Sequence, residues 1–477
     1  MNIRMTVYIL GLLLMFESVF MAVPIAAAAV YREHQIWLFA AVALFCLVAG
    51  WLMTLAKPQK KTLLARDGFV IVALSWIVMS FFGALPFYIS GCIPHFVDAL
   101  FESVSGFTTT GASILHEVES LPKCMNMWRC FTHWVGGMGV LVFIMAIMPI
   151  SGGQNMYLMK AESPGPSVSK LVPRVRTTAI WLYGIYLSLT FLEFVFLLFG
   201  RMSVYDALNI SFATAGTGGF AIRNASIGCY NPYTQIVVAV FMGLFALNFA
   251  TYFLMLRGKF KEAVNTEMKV FLSLVLFATV TITLNVRHLF HSAGEALRHA
   301  AFTVSSLISS TGFATVDFNQ WPVYSRTLLV ILMFIGACAG STGGGMKVSR
   351  IIILAKNMHN ELRVMTHPRQ VKIIKVDGHA VENETLRTVH AYIACYILIF
   401  VASMLLLSFN GLDETTNFTA VVATINNIGP GLNLVGPTSN YDVFSDLSKW
   451  TLIFDMLAGR LELFPIVLLM SPATWKK

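Results

Sequence analysis

The residues with the clearest chemical meaning are four short triplets that each end in glycine. They are Thr109-Thr110-Gly111, Thr217-Gly218-Gly219, Ser310-Thr311-Gly312 and Asn427-Ile428-Gly429. None carries a charge or an activated nucleophile, so what they can offer is main-chain carbonyl oxygen. A bare cation in hydrocarbon costs tens of kcal/mol, and rings of carbonyls can replace its water shell. Aiming successive carbonyls at one axis needs left-handed or alternating backbone angles. Glycine reaches these freely and puts no side chain in the path. One such glycine alone would be a tight turn. These four share a frame: Asp98 and Asp206 stand equally far before Gly111 and Gly219, and Phe101 and Phe302 equally far before Gly111 and Gly312. In the fourth, an apolar stretch from Phe418 to Ile425 precedes Gly429. External loops have no reason to keep such a frame, whereas short helices around a common axis do.

Other chemistry is poorly served. The seven cysteines form no CxxC and the eleven histidines no HxxxH pair, so neither metal spacing nor a redox motif is present. No nucleophile, acid and base cluster together as an enzyme would need. A second glycine-rich segment, Gly336 to Gly345, holds five glycines in ten residues. At about 1 kcal/mol each these forbid a stable helix interior. The segment superficially resembles a phosphate-binding loop. However, Lys347 does not directly follow the last glycine, and an apolar helix precedes it instead of a strand. The expectation is an irregular, movable loop below the carbonyl ring, holding Gly340, Gly343, Gly344 and Gly345. Arg460, near the middle of the last apolar run, costs about 2.5–3.5 kcal/mol to insert. It should face carbonyls of 336–346 and oppose cation passage when the pore is closed; a structural salt bridge to another helix is the plain alternative. Glu462, two residues on, points elsewhere on a helix and is a poor partner for it.

The elements that must hold these groups are membrane helices. The chain is 57% hydrophobic and only 12% charged, which excludes an ordinary soluble domain. Apolar runs at 5–30, 37–56, 68–90, 128–149, 177–200, 233–256, 268–286, 326–358 (interrupted), 388–409 and 449–471 meet the length needed to span. The first run exceeds a signal-peptide core and is expected to be a retained helix. The net charge of +9 is parcelled into loops: Lys57, Lys60, Lys61 and Arg66; Lys160, Lys170, Arg174 and Arg176; Arg257, Lys259, Lys261 and Lys269; Lys347, Arg350, Lys356, Arg363, Arg369, Lys372 and Lys375; Lys476 and Lys477. With ten alternating spans all of these share one side. By the positive-inside rule that side is the cytoplasm, with both termini there. This distribution is not that of a nucleic-acid binder. The glycine triplets then fall on the outer side with Cys92, Cys124 and Cys229, where a disulfide could form.

The fold expected is all-α and integral to the membrane: four tandem helix–pore-loop–helix units with pseudo-fourfold symmetry plus two extra N-terminal transmembrane helices. The divisions are 1–66 for the extra helices, 67–150 for unit 1, 151–258 for a linker and unit 2, 259–362 for unit 3 and 363–477 for a cytoplasmic segment and unit 4. Each pore helix runs from the outer surface to mid-membrane and points its partly negative C-terminus at the centre. Asp98, Asp206 and Glu295 complement the outer ends. Residues 371–376, Asp377-Gly378 and Ala380-Val381 suggest a small cytoplasmic hairpin. A secondary transporter of Na⁺ or a small solute would also have interrupted helices, but more often in inverted repeats.

The motifs Ser105-Gly106-Phe107-Thr108-Thr109-Thr110-Gly111, Ser309-Ser310-Thr311-Gly312-Phe313-Ala314 and Gly340-Ser341-Thr342-Gly343-Gly344-Gly345-Met346-Lys347 are specific. Through them the chain resembles the TrkH family, membrane subunits of bacterial Trk-type potassium uptake systems, in the superfamily shared with Ktr subunits and plant HKT transporters. The resemblance covers nearly the whole chain. It implies K⁺ as the transported ion, no other cofactor, and a bacterial inner-membrane location. It further implies gating by the 336–346 segment, a homodimer with one pore per protomer in membrane lipid, and a cytosolic nucleotide-binding subunit of the TrkA type on the inner face. Glycine at the first filter position goes with potassium in that family and serine with sodium, so Gly111 implies potassium. Asn426-Asn427-Ile428 departs most from the family's loop pattern.

Overall fold

The computed structural model describes residues 2–56, 64–139, 175–367 and 373–475. Six helices among them are long and apolar enough to cross a membrane: Ile3–Tyr31, Gln35–Thr54, Arg66–Ile89, Thr177–Phe199, Thr266–Leu289 and Asn383–Asn410. They match the expected runs 5–30, 37–56, 68–90, 177–200, 268–286 and 388–409. The first is nicked at Met21, three residues before Pro24, which has no N–H to give the helix. Its partner Gln35–Thr54 approaches to backbone contact: a Cβ on Gly11 would lie 2.7 Å from the Gly50 carbonyl oxygen, and one on Gly50 2.6 Å from that of Gly11. Small residues at a crossing are what allow membrane helices to pack this closely.

Between the long helices lie four short ones, Phe96–Phe107, Val204–Ala215, Ala293–Ile308 and Glu414–Ile425. Twelve residues, the length of three of them, make a rod of about 18 Å, little more than half a hydrocarbon core. Their starts are written in sequence. Ser203, Ser292 and Asp413 cap the last three by accepting backbone N–H groups. Asp98, Asp206, Glu295 and Glu414 sit in the first turns, and no basic residue occupies any last turn. Glu414 adds a fourth acid to the three expected.

After each short helix the chain returns through another helix, and three of these helices break where a continuous span would have gone on. Pro232–Phe245 stops and resumes as Phe249–Leu256 at an angle of 89°, so the expected uninterrupted span 233–256 is wrong. Asn248 causes this locally: its side chain accepts from the Ala250 N–H at 2.9 Å and starts a new helix. Asp446–Arg460 gives way to Phe464–Met470, so 449–471 is not one span either. There Glu462 and Leu463 take φ of 52° and 68°, ahead of Pro465. Val323–Ile335 and Val348–Thr366 flank the interruption foreseen within 326–358. Lys123–Gly137 begins the span expected at 128–149, whose residues 140–149 lie outside the described part. So do the basic residues Lys57, Lys60, Lys61, Lys160, Lys170, Arg174, Arg369, Lys372, Lys476 and Lys477.

Lys375–Val376 pairs antiparallel with His379–Ala380. Asp377 and Gly378 between them have φ of 51° and 80°, the two-residue turn a tight hairpin requires. Cys92, Cys124 and Cys229 are free thiols, so the disulfide allowed for on the outer side is not formed.

Candidate functional site

The four glycines meet in one ring. A Cβ on Gly111 would lie 1.9 Å from the Gly218 carbonyl oxygen, one on Gly219 1.9 Å from that of Thr311, and one on Gly312 2.0 Å from that of Ile428. A Cβ on Gly429 would lie 2.8 Å from the Thr110 oxygen, which closes the circle. Each glycine thus faces the carbonyl just before the glycine of the next loop. All four have φ between 80° and 94°, and all four line a single cavity of about 150 Å³.

The backbone that precedes the ring repeats as well. Thr109, Thr217, Ser310 and Asn427 donate N–H groups to Gly106, Thr214, Leu307 and Thr424, and the next residues donate to Ser105, Ala213, Ser306 and Ala423. This paired pattern is a Schellman cap on each short helix. Its left-handed position, usually glycine, is held by Thr109, Thr217, Ser310 and Asn427 at φ of 53° to 60°. A β-branched threonine there is a strained outlier of about 1–3 kcal/mol. No periodicity in the sequence announces it, although asparagine at the fourth is an ordinary occupant. Side chains hold the caps: the hydroxyls of Thr108 and Thr110 lie 2.8 Å apart, those of Ser309 and Thr311 2.7 Å apart, and Asn427 donates to the Thr110 hydroxyl at 2.9 Å and the Met456 carbonyl at 2.9 Å. The divergent fourth loop is therefore stitched directly to the first.

Several supporting groups were not foreseen. Buried Arg129 donates to Glu102 at 2.8 Å and reaches the Ala221 carbonyl at 3.2 Å. Glu102 also accepts from the Ser113 hydroxyl and the Ile114 N–H. A buried pair keeps its place only when its remaining hydrogen-bond sites are filled, and here they tie the first two loops together. The Tyr441 hydroxyl donates to the Gly429 carbonyl at 2.6 Å. Asp98, expected only to complement a helix dipole, also accepts from Lys449 at 2.5 Å. At the rim of the cavity the His116 imidazole, 3.0 Å away, holds the Asp442 carboxyl below the usual carboxylate range.

Beneath the ring, residues 336–347 form the expected irregular segment. It occupies the broken ends of the neighbouring helices: the Cys338 N–H donates to the Ala246 carbonyl at 3.0 Å, the Thr342 hydroxyl to Phe245 at 3.2 Å, and the Phe249 N–H to Gly340 at 3.0 Å. Gly344 N–H donates to the Ser310 hydroxyl at 2.5 Å, and Gly345 N–H to the Asn426 carbonyl at 3.1 Å. Gly343 and Gly344 press so closely on the backbone at the ends of the third and fourth short helices that a Cβ would lie 2.7 Å from the Ser309 oxygen or 2.2 Å from that of Asn426. Glu267 clamps the two ends, accepting from Ala339 N–H at 2.7 Å and Ser349 N–H at 3.1 Å. Arg460 donates to the Thr342 carbonyl at 3.1 Å, as foreseen, and also to Gly136 and, at 2.8 Å, Gly137. It stands at the end of its helix, not mid-span, and caps the C-terminus of Lys123–Gly137 as well. Glu462 takes Arg350 as its partner.

Residues 34–477 match the family model described as TrkH, cation transport protein. The chain belongs to the TrkH family. That is a family of transporters, not enzymes, and its members are multi-pass membrane proteins of helical architecture. The chain is similar to the Trk system potassium uptake protein TrkH of Vibrio parahaemolyticus, 38% identical over 489 residues and 100% of both chains. It is also similar to that of Escherichia coli K12, 37% identical over 486 residues, again 100% of both. A crystal structure of the potassium transporter TrkH from Vibrio parahaemolyticus has a TM-score of 0.90 against it, at 36% identity and with 100% of both chains covered.

Proposed function

We propose that this protein takes up K⁺ across the bacterial cytoplasmic membrane as the membrane subunit of a Trk system. The four helix–loop–helix units, in 67–150, in 151–258 after a linker, in 259–362 and in 363–477 after a cytoplasmic segment, stand in pseudo-fourfold order around one path, with residues 1–66 as two added helices. The observation that carries the reading is the closed succession of glycines and carbonyls through Gly111, Gly219, Gly312 and Gly429. Oxygens of Thr109, Thr110, Thr217, Gly218, Ser310, Thr311, Asn427 and Ile428 replace the ion's water shell. Four short helices that turn their C-terminal ends inward add a negative field. No side-chain charge is needed at the ring, which lets the ion leave as readily as it enters.

The 336–347 segment is the gate. Arg460 on Thr342 places positive charge beneath the ring and opposes cation passage in this closed arrangement. Opening requires that segment to leave the broken helix ends it now satisfies. Both termini and the 359–387 segment face the cytoplasm, where a nucleotide-binding subunit of the TrkA type docks on a homodimer.

Rubidium and sodium uptake by the purified protein in liposomes, with and without a pH gradient, tests the reading. Rubidium entry in preference to sodium is expected. Uptake of an organic solute with no rubidium flux would overturn it.

A further inference from the structure

The geometry points to His133 as a positioning residue that sets cation discrimination by bracing the first two glycine loops against each other. The inference rests on the filter reading above and concerns a residue outside the carbonyl ring. His133 is fully buried in Lys123–Gly137, and no other inner helix among Pro232–Phe245, Val323–Ile335 and Asp446–Arg460 contains a histidine.

Both ring nitrogens are committed. Nδ1 lies 2.7 Å from the Gly106 carbonyl oxygen, and Nε2 lies 3.1 Å from the Phe220 backbone nitrogen. A carbonyl can only accept and an amide N–H can only donate. The imidazole is therefore neutral, with its proton on Nδ1. The Gly106 carbonyl also accepts from Thr109 N–H at 3.1 Å, so one nitrogen holds the strained cap of the first loop. Phe220 directly follows Gly219, so the other holds the second loop.

The flat of the ring completes the fit. A Cβ on Gly218 would lie 2.2–2.5 Å from three imidazole atoms. This accounts for an irregularity in the sequence: the position before the ring glycine is Thr110, Thr311 or Ile428 in the other loops, but glycine in the second. The side chain is omitted there because His133 occupies its space. The Gly218 carbonyl is the oxygen that faces Gly111, so displacing the imidazole moves a member of the ring.

The test compares His133→Gln with His133→Leu in full-length protein reconstituted in liposomes, reading rubidium against sodium uptake. Glutamine keeps one donor and one acceptor at nearly the same separation, while leucine keeps bulk alone. His133→Leu should lower the rubidium-to-sodium ratio by about tenfold, whereas His133→Gln should stay within about threefold of the parent. An unchanged ratio in His133→Leu, or equal loss in both, overturns the inference. If the leucine variant does not fold, nitrogen NMR of histidine-labelled protein, with His133→Gln to assign the signal, must still show a neutral Nδ1–H ring; an imidazolium or Nε2–H form overturns it. Gly219→Ala is the reference: should it keep both its flux and its ratio, the filter reading itself fails, but an intact ratio in His133→Leu alone sinks only the brace.

Discussion

Gly219→Ala is the sharpest test of the glycine ring. The new Cβ would lie 1.9 Å from the Thr311 carbonyl oxygen and 3.0 Å from its carbon. Ordinary carbon–oxygen contacts begin at about 3.3 Å, so one of the two backbones must retreat by more than an ångström. The φ of 80° at this residue adds about 1–2 kcal/mol for any L-residue. The neighbour that must yield is main chain, held by the Thr311 N–H bond to Ser306, and cannot swing aside as a side chain would. An ion at the ring then loses one oxygen from its shell. A polar contact to a charge is worth about 1.5–3 kcal/mol, so rubidium flux at low concentration should fall by about 10–150-fold. The assay is tracer uptake into liposomes at matched protein content. Gly184→Ala is the control, because nothing lies within 4 Å of its added Cβ, and it should behave as the parent. If Gly219→Ala kept both its flux and its rubidium-to-sodium ratio, the ring would not be the narrowest part of the path.

Gly111→Ser meets the Gly218 oxygen in the same way and should raise sodium entry relative to potassium, read as the ratio of the two fluxes; an unchanged ratio counts against Gly111. Arg460→Ala removes donors to Thr342 and Gly137, and should increase resting flux, measured without any cytosolic partner. If resting flux and its regulation both stayed as they are, Arg460 would be a purely structural cap. Asp413→Ala removes the cap of the fourth short helix and should cost about 1 kcal/mol, seen as a lower thermal midpoint in detergent. Hydrogen bonds from the Thr416 hydroxyl and N–H hold the Asp413 carboxyl below its ordinary range. Its stabilisation is therefore full above the unfolded carboxylate range and is lost as pH falls through the lowered folded value. The difference between parent and variant midpoints should shrink in acid, and a constant difference would refute the charged cap.

The sequence by itself determined the class of the molecule and the place of its ring. Runs of apolar residues must enter the bilayer, and four glycines in one frame are too costly and too regular to be turns. The acids Asp98, Asp206 and Glu295 in the first turns of the short helices were legible as well, because a helix start favours negative charge within its own few residues. Continuity was not legible. Hydrophobicity reports which residues leave water, not whether their hydrogen-bond ladder is intact, so 233–256 and 449–471 read as whole helices. The break after Phe245 survives at membrane depth because Cys338 and Thr342 bring donors to the freed Ala246 and Phe245 carbonyls, while Arg460, where the other broken helix ends, donates to the Gly137 carbonyl of a third helix. The left-handed turns at Thr109, Thr217 and Ser310, the pairing of Glu267 with both ends of the 336–347 segment, and the contact of His133 with Gly218 share that origin. Each depends on residues distant in the chain meeting at one point, and only the packed tertiary structure brings them there.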